Sequence, residues 1–233
     1  MTGQLQVADS ALGSVVSQLT QAISLATGAN NGTMNASDVR AIGSQISGIL
    51  NEVQSLANTS YQGQYIFAGG QTSTTPFSTS SGVTSYNGDE DVNYLQAPNG
   101  QKIQLNVPGS QIFSAGGKNG VFGALNSLIA DYSSGTVDTS QAVSDTEALS
   151  TALNYVSQQR VTIDNSISQA TAATEAVTSD QAQLTTAQTN LMQADVAQVS
   201  TQLSLSETQQ TALEDVIAEL DSSSNSLFSK IQQ

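Results

Sequence analysis

The chain has 233 residues, enough for one long domain or two small ones, but only 10% of them are charged against the roughly 25% of an ordinary globular chain. Five basic residues face nineteen acidic ones, a net charge of -14, which argues against nucleic acid or anionic membrane as a partner because both need clustered Lys or Arg to release counterions. The absence of Cys and His excludes disulfides, thiolate catalysis and Cys-ligated zinc, and removes the commonest general base and metal ligand, so no enzyme, metal or cofactor is expected.

Residues Gln4 to Ala26 carry a helical stripe: Leu5, Ala8, Leu12, Val15, Leu19, Ala22 and Ala26 recur at three and four. The Gly28 to Gly32 stretch (GANNG) breaks it with residues that tolerate left-handed backbone. A second helix is expected from an N-cap at Ser37 or Asp38, with Val39, Ile42, Ile46, Ile49, Val53 and Leu56 turned inward. Gly43 and Gly48 each weaken it by about 1 kcal/mol relative to Ala, so tertiary packing must hold it.

At Tyr61 the pattern changes. Tyr65-Ile66-Phe67 favours β structure, Val83 to Tyr86 leads into Asn87-Gly88, and Val92 to Leu95 leads into Asn99-Gly100. Both dipeptides are strong hairpin-turn signals. Ile103, Leu105 and Val107 then alternate with polar residues up to Pro108-Gly109. Tyr65 to Val107 is therefore an insertion of two or three hairpins with too few apolar residues for a core of its own. A short helix from Asn119 follows, with Val121, Phe122, Leu125, Leu128 and Ile129, and ends near Ser133 to Gly135.

The long C-terminal helix is expected to start after Asp138, or at a capping box of Ser144 and Glu147 if its start lies later. Its seam, from Leu149 through Leu153, Val156, Arg160, Ile163, Ile167, Ala170, Thr174, Val177, Gln181, Leu184 and Gln188 to Leu191, alternates four and three without a slip. A second register runs through Val196, Val199, Leu203, Ser206, Gln210, Leu213, Ile217, Leu220, Ser224 and Leu227, with a joint expected near Ala194-Asp195. The first seam is expected to be covered by the N-terminal helices. The second, Val196, Val199, Leu203, Leu213, Ile217, Leu220 and Leu227, reads either as an ordinary packed helix or as an assembly interface for a partner helix.

The one carboxylate cluster, Asp89-Glu90-Asp91, lacks the spacing of a calcium loop and reads as a solvated hairpin tip. Arg160 reads as a side chain snorkelling from the seam edge, with a salt bridge to a buried acid as the alternative. Gly69-Gly70 and Gly116-Gly117 read as turn glycines, not as phosphate loops. No apolar run approaches the roughly 18 residues of a membrane span, and the N-terminus lacks the pattern of a cleaved signal peptide.

Several segments resemble the flagellin family. Asp9-Ser10-Ala11-Leu12, Asn31-Gly32-Thr33 and Ile49-Leu50-Asn51-Glu52 resemble its N-terminal core helices. Gly63-Gln64-Tyr65-Ile66-Phe67-Ala68-Gly69 through Thr75-Pro76-Phe77, Tyr86-Asn87-Gly88-Asp89, and Asn106-Val107-Pro108-Gly109 with Ile112-Phe113 are similar to its hook–filament junction members, the L-type hook-associated proteins, more than to filament flagellins. Ala194-Asp195-Val196-Ala197, Gln209-Gln210-Thr211-Ala212-Leu213 and Ser226-Leu227-Phe228 resemble the terminal assembly helix.

The resemblance implies a structural protein of the extracellular bacterial flagellum, exported without a cleaved signal peptide and forming a ring of its own copies between hook and filament. Its partners would be the hook-side junction protein, flagellin and an export chaperone. It also implies an N-terminal assembly segment that this chain is expected to lack. The alternatives are a short filament flagellin and, from another class, a glycan- or ligand-binding module using Tyr86 and Tyr94. The expected fold is mostly α, an elongated antiparallel helical bundle or coiled coil with a small β-hairpin insertion. Its expected parts are a helical hairpin (1–60), a β-rich insertion (61–118), C-terminal core helices (119–194) and a terminal assembly helix (195–233).

Overall fold

The computed structural model describes residues 2–31, 34–80, 82–114, 117 and 120–231, with side chains to Asp221. The expectations placed on Gly32, Thr33, Gly116 and Asn119 lie outside these residues, as do the side chains of Ser224 and Leu227. The order is α1 (Thr2–Ala29), α2 (Ala36–Ala57), six short strands β1 (Ser60–Tyr61), β2 (Gln64–Tyr65), β3 (Phe77–Ser80), β4 (Val83–Tyr86), β5 (Tyr94–Gln96) and β6 (Lys102–Gln104), a π-helical turn at Ser110–Ser114, α3 (Val121–Ser133) and α4 (Thr139–Ile231). This is the expected class: mostly helical, with a small β insertion. The chain divides into two compact units, residues 1–174 and 175–233.

In the first unit every residue of the α1 stripe is buried, and α2 buries Val39, Ile42, Ile46, Ile49 and Val53 against it. The α2 cap differs from the expectation. Asn35 holds it, its side-chain oxygen accepting from the amides of Ser37 at 2.9 Å and Asp38 at 3.0 Å. Asn outranks its neighbours here because its short amide reaches both orphan donors, while Asp38 serves in the first turn, where a negative charge meets the positive helix end. Gly43 lets α2 pack tightly on α3: a Cβ added there would stand 3.2 Å from the Cβ of Tyr132. Gly48 faces open space.

The β insertion forms three separate antiparallel pairs, β1–β2, β3–β4 and β5–β6. In the first, Gln62 and Gly63 both take positive φ, 52° and 78°, the pair of left-handed residues that a two-residue hairpin turn requires. The second hairpin turns ahead of Asn87-Gly88: Ser80 pairs with Val83, and Gly82 supplies the positive φ of 79°. Asn87 instead donates its amide to the Pro76 carbonyl at 2.7 Å and its side-chain NH2 to the Ser78 hydroxyl at 2.9 Å, closing the open end of that hairpin. Asn99-Gly100 does turn the third hairpin, with Gly100 at φ 84°.

The insertion shares the core of the helices. Ile66, Phe67, Phe77, Val107, Ile112 and Phe113 join the cluster built by α1, α2, α3 and the start of α4. Phe77 sits at the centre of an aromatic group, its ring 5.1 Å from Tyr86, 5.4 Å from Phe113 and 5.0 Å from Phe122. Its backbone is held as well: Asn58, the C-cap of α2, accepts from the Phe77 amide at 2.8 Å and donates to its carbonyl at 2.9 Å. The β5–β6 hairpin makes a smaller cluster in which Ala97 and Ile103 pack with Ala170 of α4.

α4 begins where Asp138 caps it, accepting from the amides of Ser140 at 3.0 Å and Gln141 at 3.2 Å, so Ser144 and Glu147 lie inside the helix. Within the first unit it buries Leu149, Ala152, Val156, Ile163 and Ala170. Arg160 forms a two-point ion pair with Asp9 of α1, 2.8 Å from Nε to Oδ1 and 3.2 Å from Nη2 to Oδ2. This corrects the snorkelling reading. Gly13 on α1 faces the guanidinium, which lies at an ordinary van der Waals distance of 3.5 Å from where a Cβ would be. Near Ala194-Asp195 α4 continues as one helix, with no break at the expected joint.

Two glycine replacements separate packing from propensity. Gly48→Ala is expected to raise stability by about 1 kcal/mol, because only helix propensity changes. Gly43→Ala is expected to lose that gain to the Tyr132 contact. Thermal unfolding of the two variants measures the difference.

Candidate assembly surface

The second unit is helical from residue 175 to Ile231 and is rich in Ser and Thr, residues that tend to draw a backbone out of helix by offering it competing hydrogen bonds. Here the hydroxyls bond within the helix. Thr185, Thr186, Thr189, Thr201, Thr208 and Thr211 each donate to the carbonyl four residues back, at 2.8 to 3.0 Å. The hydroxyls of these six threonines are thereby satisfied within the helix.

Apolar side chains on this stretch of α4 are open. Val196, Val199, Leu203, Leu213, Ile217 and Leu220 are all exposed, between 59% and 66%. On a helix their three–four spacing places them in one stripe. Leu227, the last residue expected there, lies outside the described side chains. Met192 continues the stripe by one step toward the N-terminus, four residues before Val196, and is 60% exposed. The sequence spacing already carried that signal. Met192, Val196 and Val199 line shallow hollows on the helix surface.

The first seam does not stay covered to Leu191, as the sequence suggested. Among the described side chains burial on α4 ends at Ala170, and Val177, Leu184 and Leu191 are 46%, 71% and 72% exposed. Heptad spacing records that a helix face is apolar; it does not record how far the covering helices extend. Along the same stretch the charge is of one sign. Glu175, Asp180, Asp195, Glu207, Glu214, Asp215, Glu219 and Asp221 are acidic, and no Lys or Arg lies between Arg160 and Lys230.

The acidic run of the insertion is structural. Asp89 is only half exposed; its Oδ1 accepts from the amides of Gly70 at 2.5 Å and Asp91 at 3.1 Å, and its own amide donates to the Ala68 carbonyl at 3.2 Å. A Cβ on Gly69, at φ 69°, would collide with the Asp89 backbone, so Gly69-Gly70 is the seat for this carboxylate. Buried Asn106 finishes the knot, accepting from the Asn93 amide at 2.7 Å and donating to the Asp91 carbonyl at 3.0 Å. The solvated hairpin tip read from the sequence is instead a clasp between the loops on either side of the β3–β4 hairpin.

Tyr86 belongs to the same clasp. Its hydroxyl donates to the carbonyls of Phe67 at 3.0 Å and Asp89 at 2.8 Å, and burial, followed by the charges of Glu90 and Asp89, pushes its phenol up to about 12. Tyr94 remains 58% exposed on β5. The two rings therefore do not form a ligand platform, because Tyr86 is spent on the fold.

Residues 1–72 match the family model described as the bacterial flagellin N-terminal helical region. The chain is 34% identical over 113 residues to flagellar hook-associated protein 3 of Salmonella typhimurium, a match covering 46% of this chain and 35% of that protein. It thus spans about a third of the length of the curated relatives it matches. Among solved structures, a flagellar hook-associated protein from Vibrio parahaemolyticus is similar with a TM-score of 0.70 at 19% identity, over 77% of this chain and 81% of that one. The flagellar junction protein FlgL from Legionella pneumophila gives a TM-score of 0.62 at 13% identity, over 72% and 91%. At such identities the structures speak for a shared fold, and the Salmonella relative carries the similarity in sequence. The resemblance to the hook-associated members of the flagellin family is present in both.

Removing the Asp89 carboxylate tests the clasp. Asp89→Ala is expected to cost about 1–3 kcal/mol, the range for a lost charge-assisted hydrogen-bond acceptor. Amide exchange should quicken at Gly70 and Asp91 before it does in α1 or α2.

Proposed function

We propose that this chain, a relative of flagellar hook-associated proteins, is a structural subunit of the bacterial flagellum that joins hook to filament through helix–helix packing. The similarity to hook-associated protein 3 over 113 residues carries the reading. The exposed stripe from Met192 to Ile217 supplies a physical means. Six or seven apolar side chains repeating at three and four are what a partner helix needs for knobs-into-holes packing.

In this reading the parts divide as 1–60, 61–118, 119–194 and 195–233: helical hairpin, β insertion, core helices and assembly helix. The assembly interface consists of Val196, Val199, Leu203, Leu213, Ile217, Leu220 and Leu227. The partners are copies of the chain in a ring, the hook-side junction protein, flagellin and an export chaperone, and the site of action is the extracellular flagellum.

The eight carboxylates along residues 175–221 shape how such a helix associates. Two copies placed side by side repel until salt screens them, so self-association is expected to strengthen as ionic strength rises from about 0.05 to 0.5 M. Val199→Asp with Ile217→Asp puts a charge into the stripe at two points, each costing about 2 kcal/mol or more of association, roughly thirtyfold in affinity. Sedimentation across the salt series measures both effects, and circular dichroism checks that the fold persists. In cells, labelled protein is expected at the hook end of the filament, and a deletion strain should shed its filaments. Label along the whole filament, or filaments still attached in the deletion strain, overturns the reading.

A further inference from the structure

Four Asn-Gly pairs occur in the sequence, at 31–32, 87–88, 99–100 and 119–120, and two of them, Asn87-Gly88 and Asn99-Gly100, lie wholly among the described residues. In such a pair the Gly amide nitrogen can reach the side-chain carbonyl carbon of the Asn before it, because Gly has no Cβ to crowd the ring that forms. The fold gives the two dipeptides opposite surroundings.

At Asn87 the reacting groups are held. Its side-chain NH2 donates to the Ser78 hydroxyl at 2.9 Å and to the Thr75 carbonyl at 3.4 Å, and its own amide is bonded to the Pro76 carbonyl. Gly88 is packed against Tyr86: a Cβ there would strike the Tyr86 hydroxyl and the Ala68 carbonyl. The next amide, that of Asp89, is given to the Ala68 carbonyl at 3.2 Å. Ring closure here requires the clasp to open.

At Asn99 the groups are free to meet. The side chain is exposed, and Gly100, at φ 84°, faces open space. The Asn99 Oδ1 accepts from the Gln101 amide at 3.0 Å, which polarises the side-chain carbonyl and places a donor where negative charge develops during attack on its carbon. One restraint opposes the attack: the Gly100 amide donates to the Ala97 carbonyl at 2.8 Å. That bond lies at the tip of a two-stranded hairpin, where bonds open at low cost.

We propose that Asn99 is a site of spontaneous deamidation, and that its isoaspartate product loosens the β5–β6 hairpin from α4. The Gly100 amide gives its proton to solvent base and its nitrogen bonds to Asn99 Cγ. The Cγ–Nδ2 bond breaks, the departing nitrogen takes a proton from water, and ammonia leaves a five-membered succinimide. Water then opens the ring at one carbonyl to give aspartate, or at the other to give isoaspartate. The isoaspartate form carries one more carbon in the main chain between residues 99 and 100. The Ala97 amide, which donates to the Gln101 carbonyl at 2.8 Å, then loses the geometry that closes the hairpin. Ala97 and Ile103 of this hairpin are the side chains that pack with Ala170 of α4.

The test ages the folded full chain at mildly alkaline pH and maps its peptides by mass spectrometry. Aspartate and isoaspartate are expected to accumulate at position 99 about tenfold faster than at position 87, where bonds must first be broken. In urea the two rates should converge, since the unfolded chain gives both pairs the same freedom. Asn87 converting as fast as Asn99 in the folded chain, or Asn99 converting in urea alone, overturns the proposal. Asn99→Gln, whose longer side chain cannot close the five-membered ring, should stay unconverted at that position. Amide exchange at Ala97 is expected to quicken in the aged wild type and to hold its rate in Asn99→Gln aged alongside. Unchanged exchange at Ala97 once isoaspartate has formed overturns the loosening.

Discussion

The β insertion depends on the burial of Phe77. It is a set of two-stranded hairpins, and such hairpins are marginal in water when alone. One ring meeting Tyr86, Phe113 and Phe122 at 5.0 to 5.4 Å joins β3, β4, the π-helical turn and α3 in a single contact group. Aromatic pairs of this kind add about 0.5–1.5 kcal/mol each beyond the area they bury. The Asn58 side chain then fixes the Phe77 backbone from the end of α2, doing for one residue what a neighbouring strand does along a ladder. Gly109 belongs to the same arrangement: its amide donates to the Phe67 carbonyl at 2.8 Å, and a Cβ there would strike the Phe77 ring.

α4 places one secondary structure in two environments. Up to Ile163 its buried apolar side chains complete a core begun by α1 and α2, Ala170 packs on the β5–β6 hairpin, and the Arg160–Asp9 pair ties it to α1. That pair is partly exposed, 33% and 25% by side chain, so its contribution to stability is modest and its main effect is on register. From Val177 onward the same spacing of apolar residues is exposed, and satisfied threonines and one-signed charge surround it.

The helices were legible because apolar residues recurring at three and four fall on one side of a helix and would scatter over both faces of a strand. The α1 stripe, the inward residues of α2 and the apolar residues of α3 and early α4 all lie where the spacing puts them. Short-range chemistry was less decisive. Asn87-Gly88 has the composition of a hairpin turn, yet Asn87 bonds back to Pro76 and Ser78, and a Cβ on Gly88 would meet Tyr86 and Ala68. Asp89 looked like a surface charge, because nothing local announces that Gly69-Gly70, nineteen residues earlier, presents an amide to it. Arg160 looked solitary because its partner lies 151 residues away.

The sequence by itself determined the class of the molecule: long amphipathic helices, a small β insertion, and an apolar stripe at Val196, Val199, Leu203, Leu213 and Ile217. Those properties are periodic, and periodicity survives without knowledge of partners. Tertiary structure alone decided where the covered part of α4 stops, which glycines seat a carboxylate, and that Arg160 meets Asp9. The physical reason is that burial and electrostatic environment belong to pairs of distant residues. A linear pattern shows that a side chain could be covered or charged, and the fold determines what stands opposite it.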